Sequence, residues 1–303
     1  MTAKPFKVTQ HSRNIHCVSF EVESDWRSWE HFVLLSSDRH HDSTHANHDL
    51  ERKHLEQVKA RNATWVDVGD LFDCMAGRYD PRSGKQDIRP EYATSPNYFD
   101  AIVRDAAEFY APYAAQCICI GRGNHETAVT KRHEIDLTER LCAQMSLLAG
   151  QPVYSGGYGG YVRFQARVMG TGTAFDLRYY HGSGGGGPMT HGVLGTRRFA
   201  SWCAADCIVT GHTHDHWAVR LQREVLKCNR GRYSIQLRDQ WHVKTPSYKD
   251  EHGDGYGGWH VETGKPPKPC GATWMRLSLV EDYPEGNVRH VRPRLVAQFM
   301  EAL

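Results

Sequence analysis

Five short stretches place metal-ligand residue types directly after apolar runs or a strand-like segment: Ser37-Asp38-Arg39-His40, Gly69-Asp70-Leu71-Phe72-Asp73, Gly123-Asn124-His125-Glu126, Tyr180-His181-Gly182 and Gly211-His212-Thr213-His214. As ligands they offer Asp38, His40, Asp70, Asn124, His181, His212 and His214, with His125 and Asp73 beside them. That inventory suits two adjacent divalent cations and a hydrolytic reaction. Asp38-x-His40 puts alternate residues on one side of an extended segment, so both can face one cation. His212-x-His214 repeats the spacing and could serve one cation with each ring. Both oxygens of Asp70 carry lone pairs, so its carboxylate can bridge two cations, and Asn124 adds an oxygen without adding charge. Imidazole and carboxylate without thiolate fit Mn, Fe, Zn, Ni or Mg, and argue against an iron–sulfur cluster or an all-Cys zinc site.

Such scattered ligands converge only if the chain is wound to bring them together. Phe32-Val33-Leu34-Leu35, Trp65-Val66-Asp67-Val68, Cys117-Ile118-Cys119-Ile120 and Cys207-Ile208-Val209 read as buried strands, and Leu177-Arg178-Tyr179-Tyr180 as one more. Helical patterns fall between them, at Ala46 to Arg61, Tyr98 to Tyr113, Leu137 to Leu148 and Gly195 to Cys203. Alternating strands and helices imply βαβ units, which gather ligands at the carboxyl ends of the strands. Glycine at 69, 123 and 211 allows tight turns and close backbone approach there.

In this order the motifs resemble the calcineurin-like metallophosphoesterase superfamily, over Asp38 through His214. The resemblance implies an α/β fold, a four-layer α/β/β/α sandwich of two mixed sheets flanked by helices, with a dinuclear site at one rim. It implies that Asp38, His40 and His214 bind a first cation together with Asp70. Asp70 then bridges to a second cation completed by Asn124, His181 and His212. His125 lies just outside as general acid or charge stabiliser, with Asp73 orienting it. Two divalent ions, manganese foremost, would supply a bridging hydroxide for in-line attack on phosphorus. Pro246-Ser247 and a strand near Thr273 to Val280 resemble the family's closing segment.

Protein Ser/Thr phosphatases follow the second motif with Arg-Gly, whereas here Asp73 is followed by Cys74-Met75. Gly69 to Asp73 is closer to the DNA-repair exonuclease branch, although Arg122 to Glu126 looks like the phosphatase version of the third motif. The expectation is hydrolysis of phosphodiesters, with DNA and RNA among the candidate substrates. The alternative is a phosphomonoesterase acting on nucleotides, small metabolites or phosphoprotein. A non-catalytic metal-binding scaffold is the third reading.

Arg39, His41 and Arg122 flank the ligands and are candidate substrate contacts. His41, Asp42, His45, His48 and Asp49 crowd the first motif at a loop-to-helix junction, where capping and solvation account for them. The glycine-rich runs 155–160 and 182–187 lack the strand–loop–helix setting of a P-loop and read as turns, the second placed to be a mobile loop at the site. A Ser or Cys nucleophile has no support, for there is no Gly-x-Ser-x-Gly elbow.

The 303 residues read as a single domain, with its core from about 32 to 280 and a strand or tail over 281–303. The stretches 142–177 and 222–243 add strands, and Arg289 through Arg294 reads as a terminal strand. Cys74 to Pro96 is longer than ordinary connections and reads as a rim loop shaping the substrate site or a subunit contact. Pro246 to Pro269 is a second long polar loop, with Tyr256, Trp259 and His260 available for stacking or packing. Net charge is +2, from 37 Lys and Arg against 35 Asp and Glu, so no overall field favours nucleic acid. Nine Cys without paired zinc spacing, no secretory pattern and no membrane-spanning run lead to the expectation of a cytoplasmic protein with reduced thiols.

Overall fold

The computed structural model describes residues 5–23, 25–74, 89–93, 95–185, 191–229, 231–253, 255–256, 259–282 and 292–303. In chain order the strands of the first half are β1 (Lys7–Ser12), β2 (Ile15–Val22), β3 (Glu30–Ser36), β4 (Thr64–Asp67), β5 (Cys117–Gly121) and β6 (Ser155–Gly157). They continue as β7 (Gly159–Val168), β8 (Thr171–Tyr180), β9 (Cys207–Thr210), β10 (Trp217–Asn229), β11 (Arg232–Lys244), β12 (Thr273–Asp282) and β13 (Arg292–Glu301). The helices are α1 (His48–Ala60), α2 (Pro90–Ala93), α3 (Tyr98–Tyr110), α4 (Asn124–His133), α5 (Leu137–Ala149), α6 (Leu194–Trp202) and α7 (Trp259–Glu262).

Two mixed sheets result. One has the order β1-β2-β7-β8-β9-β11-β10, the other β13-β12-β3-β4-β5-β6. Strand alternation divides the apolar residues between two cores. Val33, Leu35, Val66 and Ile118 of the six-stranded sheet pack with Val18, Phe20, Phe164, Leu177 and Val209 of the seven-stranded sheet. Leu34, Trp65 and Ile120 point the other way, against Leu55 and Val58 of α1, Ile102 and Ala106 of α3, and Leu141 and Met145 of α5. Phe199 of α6, with Cys203 just beyond it, covers Ile208 of β9. The chain is therefore a layered α/β structure.

The expected helices form with local chemistry to hold them. Asn47 caps α1 by accepting from the Leu50 amide at 3.0 Å, and Asp136 caps α5 by accepting from Glu139 at 3.1 Å. The pattern over Tyr98 to Tyr113 is helical throughout but tightens to a 3₁₀ turn over Ala111–Gln116. Sequence periodicity missed α4, whose first residues are the ligand candidates themselves.

Three expectations change. The core does not begin near residue 32, since Phe6, Val18, Phe20 and Val22 are buried between the sheets, and Leu295 and Ala297 of β13 join them. Among the described residues the terminal strand covers Arg292–Glu301, passing Arg294 because its apolar alternation continues, while residues 289–291 lie outside the described residues. Within 246–269, Ser247, Tyr248 and Lys249 are buried, so that part is no solvent loop. Tyr256 is 95 % exposed, and the side chains of Trp259 and His260 lie outside the described residues. Most of the expected rim loop (75–88 and 94) and the end of the glycine-rich loop (186–190) also lie outside them.

At the other end of the seven-stranded sheet, β10 and β11 pair from Trp217↔Lys244 to Asn229↔Arg232, while β9 pairs only Trp241 to Lys244 of β11. The remaining length is a two-stranded arm. One of its faces carries Leu226, Tyr233, Ile235 and Leu237, exposed by 69 %, 71 %, 69 % and 59 %.

Candidate metal centre

Parallel β3, β4 and β5 end on the same side, so the segments that follow them meet. The Asp38 amide donates to Gly69 O at 2.8 Å, His40 to Asp70 O at 3.1 Å and His41 to Leu71 O at 2.8 Å, zipping the first two ligand loops together. Glu126 fastens the third by accepting from the Gly123 amide at 2.8 Å and the Phe72 amide at 2.9 Å. It is a buried bracket between two loops rather than an exposed helix-start carboxylate. From the opposite sheet, Gly211 donates to His181 O at 2.9 Å and His212 donates its amide to Asp38 Oδ2 at 2.9 Å.

Close approach explains the glycines. A Cβ on Gly123 would fall 2.0 Å from Asp70 Oδ1, and one on Gly211 would fall 2.2 Å from Ser37 Oγ and 2.5 Å from Asp38 Oδ2. The ligands themselves are bent sharply. Asp38, His40, Asp70, His212 and His214 have φ of 51°, 47°, 54°, 74° and 56°, a region that L residues occupy at a cost and that clusters at functional sites.

Two groups of side chains come together. Ligand atoms of Asp38, His40 and His214 lie within 4.8 Å of one another, as do those of Asp70, His181 and His212. In the first group His214 Nε2 is 3.3 Å from Asp38 Oδ1. In the second His181 Nε2 is 3.1 Å from both Asp70 Oδ2 and Asn124 Oδ1. All seven expected ligands thus converge on one rim. His125 stands between the groups, its ring centroid 4.9 Å from that of His40 and its Nε2 3.8 Å from Asp70 Oδ2. Its Nδ1 faces the backbone carbonyl of Asp73, with the Asp73 carboxylate farther off at 3.6 Å. Asp73 thus orients His125 mainly through its main chain, and its carboxylate lies closer to His40 Nδ1, at 2.9 Å.

The donor set fits divalent cations. Both ring nitrogens of His40 and Nδ1 of His181 are buried without a hydrogen bond, a costly state for a polar atom unless something else is to satisfy it. Charge is balanced within the cluster by its own histidines. Burial opposes the charged form of His214, but Asp38 and Glu251 outweigh it and raise its pKa to about 10. For His181, Asp70 outweighs burial in the same way and raises it to about 9. The carboxyl groups of Asp38 and Asp70 are held low against burial, chiefly by His214 and His181 respectively. His40 and His212 are lowered, mainly by burial. Without a cation the rings of His214 and His181 hold protons beside Asp38 and Asp70, and a cation would take the place of those protons, since imidazole ligates as the neutral ring.

The expected substrate contacts are placed differently. Arg39 is fully buried beneath the site, where Nε donates to Asp67 Oδ2 at 2.6 Å, Nη2 to Ser36 Oγ at 2.7 Å, and Nη1 pairs with Glu51. His41 is also fully buried, with Nε2 2.9 Å from Asp105 Oδ2 and its ring stacked on His48 at 4.6 Å. Asp42 takes the amides of Asp73 and Cys74 at 2.6 and 3.0 Å. These groups support the ligand loops and cannot reach substrate, because their donors and acceptors are spent inside the protein. Arg122 is partly exposed and pairs with Asp136.

Sequence reading missed Lys249 and Glu251, which approach the first group from the segment after β11. It also missed the role of Asp67, although a carboxylate inside the run Trp65-Val66-Asp67-Val68 was a signal of a buried partner. Burial raises Asp67 to about 6 against the pull of Arg39.

No family model matches the chain, and no curated protein matches it. Among solved structures it is similar to one described as GAP50, the anchor in the inner membrane complex of Plasmodium. The two share 11 % identity over 87 % of this chain and 88 % of that one, with a TM-score of 0.38. Among the described residues no helix is long and apolar enough to cross a membrane.

Proposed function

We propose that this protein is a metal-dependent phosphoesterase of the four-layer calcineurin-like type, acting on phosphodiesters. The observation that carries the reading is the side-by-side placement of Asp38, His40 and His214 with Asp70, His181 and His212. Asn124 and His125 complete that rim. Two bound divalent ions, manganese foremost, would supply an ionised water and neutralise phosphoryl charge. Asp70 Oδ2 lies 3.1 Å from His181 Nε2 and 3.8 Å from His125 Nε2, and in this reading its carboxylate would serve both cations. His125, held through Nδ1, keeps Nε2 toward the rim, where it can give a proton or a hydrogen bond to the leaving oxygen. The preference for diesters rests on Gly69 to Asp73 and on Cys74 standing where phosphoprotein phosphatases carry Arg.

The test is turnover of bis-p-nitrophenyl phosphate against p-nitrophenyl phosphate by chelator-stripped protein supplied with manganese, beside Asp70→Asn. Diester turnover that needs the metal and is lost in the variant supports the reading and leads next to single- and double-stranded DNA and RNA. A preference for the monoester moves the assignment to a phosphatase. No turnover with Mn, Fe, Zn, Ni or Mg overturns the enzyme reading.

A further inference from the structure

We propose that Lys249 is a positioning residue of the metal centre: with Asp73 and Glu251 it braces both histidines of the Asp38 group and makes that group the tighter of the two cation sites. The inference rests on the metal-centre reading above. Lys249 is 7 % exposed, and its Nζ lies 3.2 and 3.4 Å from the two Asp73 oxygens and 3.1 Å from Glu251 Oε1. Each of these carboxylates also faces a histidine. Asp73 Oδ1 is 2.9 Å from His40 Nδ1, and Glu251 Oε2 is 3.6 Å from His214 Nδ1.

Both contacts fall on Nδ1. A carboxylate beside Nδ1 favours the tautomer that carries its proton there, so that a bound cation would take the Nε2 lone pair. Neither ring nitrogen of His40 has a hydrogen bond, so Asp73 acts on Nδ1 as a charge 2.9 Å away, and His214 Nε2 is directed at Asp38. One ammonium between the buried Asp73 carboxylate and the partly exposed Glu251 carboxylate keeps the two from repelling each other apart. The second group has no matching support among the described residues: the carboxylate beside His181, that of Asp70, faces its Nε2 at 3.1 Å and is itself a ligand candidate. The asymmetry predicts unequal affinities, with the Asp38 side filled first.

The experiment is a titration of the metal-stripped protein with Mn²⁺ alone, followed by calorimetry and by the electron paramagnetic resonance of free Mn²⁺. Wild-type protein is expected to show a tight and a weaker site. Lys249→Met should weaken the tight site by about 10–100-fold, the usual cost of losing such outer support, and leave the weaker one unchanged. Lys249→Arg keeps the charge and should restore most of the loss. Glu251→Gln changes a side chain that is 19 % exposed, so the fold should tolerate it, and it should weaken the same site even if Lys249→Met does not fold. Unchanged tight-site affinity in Glu251→Gln, or in a folded Lys249→Met, overturns the proposal. Wild-type protein that binds no Mn²⁺ overturns the metal-centre reading itself.

Discussion

The amide of His212 donates to Asp38 Oδ2 at 2.9 Å across a separation of 174 positions in sequence. Ser37 Oγ donates to that same oxygen, so Oδ2 is committed to the protein and Oδ1 faces His214. One hydrogen bond thereby joins the rims of two sheets and aims a ligand. The arrangement leaves no room for side chains at the glycines beside it.

Gly123→Ala is expected to destroy the centre without touching a ligand. Its Cβ would fall 2.0 Å from Asp70 Oδ1, which now accepts the His125 amide at 2.9 Å. Either Asp70 or α4 must move. Metal content by mass spectrometry should drop by at least one ion per chain, with circular dichroism unchanged. Full metal content in this variant would show that the rim is looser than the packing implies.

Asp70→Asn and His125→Asn should differ in kind. Asp70→Asn removes the anionic carboxylate of the group that also holds His181 and His212, and should lower both metal content and turnover. His125→Asn should leave metal content intact and lower turnover by about 10²–10⁴-fold, the range for a lost general acid. Equal loss of metal in both would make His125 a ligand instead.

Arg39→Met should unfold the protein more readily rather than impair substrate binding. It strands Asp67 and Glu51 in the interior without their cation, a change that costs about 3–5 kcal/mol. Urea denaturation measures it. A rise in KM at unchanged stability would restore Arg39 to substrate contact.

Acid should destabilise the fold through buried histidines that are not ligand candidates. Burial lowers His31 to about 3, and its Nε2 lies 3.0 Å from Thr64 Oγ1. His16, His54 and His242 are lowered to about 4, chiefly by burial. Between these values and the ordinary 6.5 the unfolded chain binds more protons than the folded one. Stability is therefore full above about 6.5, falls as pH drops, and stops falling on their account below about 3. At pH 4 His31 alone accounts for about 3 kcal/mol. Replacing it by Gln should flatten the acid limb of a stability–pH curve, and an unchanged limb would contradict its burial as a neutral ring.

Much of the rim was legible because ligand chemistry demands particular residue types at strand ends, and the apolar runs before Asp38, Asp70, Asn124 and His212 marked those ends. Strands β1 and β2 were not legible, since their alternation around Val18 and Phe20 mixes with polar residues on an exposed face. Arg39 and His41 were misread for a physical reason: a charged residue beside a ligand looks the same in sequence whether it faces solvent or a buried carboxylate. Lys249 and Glu251 sit in a polar segment with no periodicity, and only the fold brings them beside His40 and His214.

The arm of β10 and β11 will behave as a separate unit of opening. Two strands without a third to lie against are marginal in water, and its apolar face has little packing to lose. Its amides should exchange with deuterium well before those of β3 to β5. A protease that nicks its tip should yield two fragments that stay associated through β9 and the body of the sheet. The rim would then keep its ligand candidates in place, so clipped and intact chains should take up the same amount of added metal.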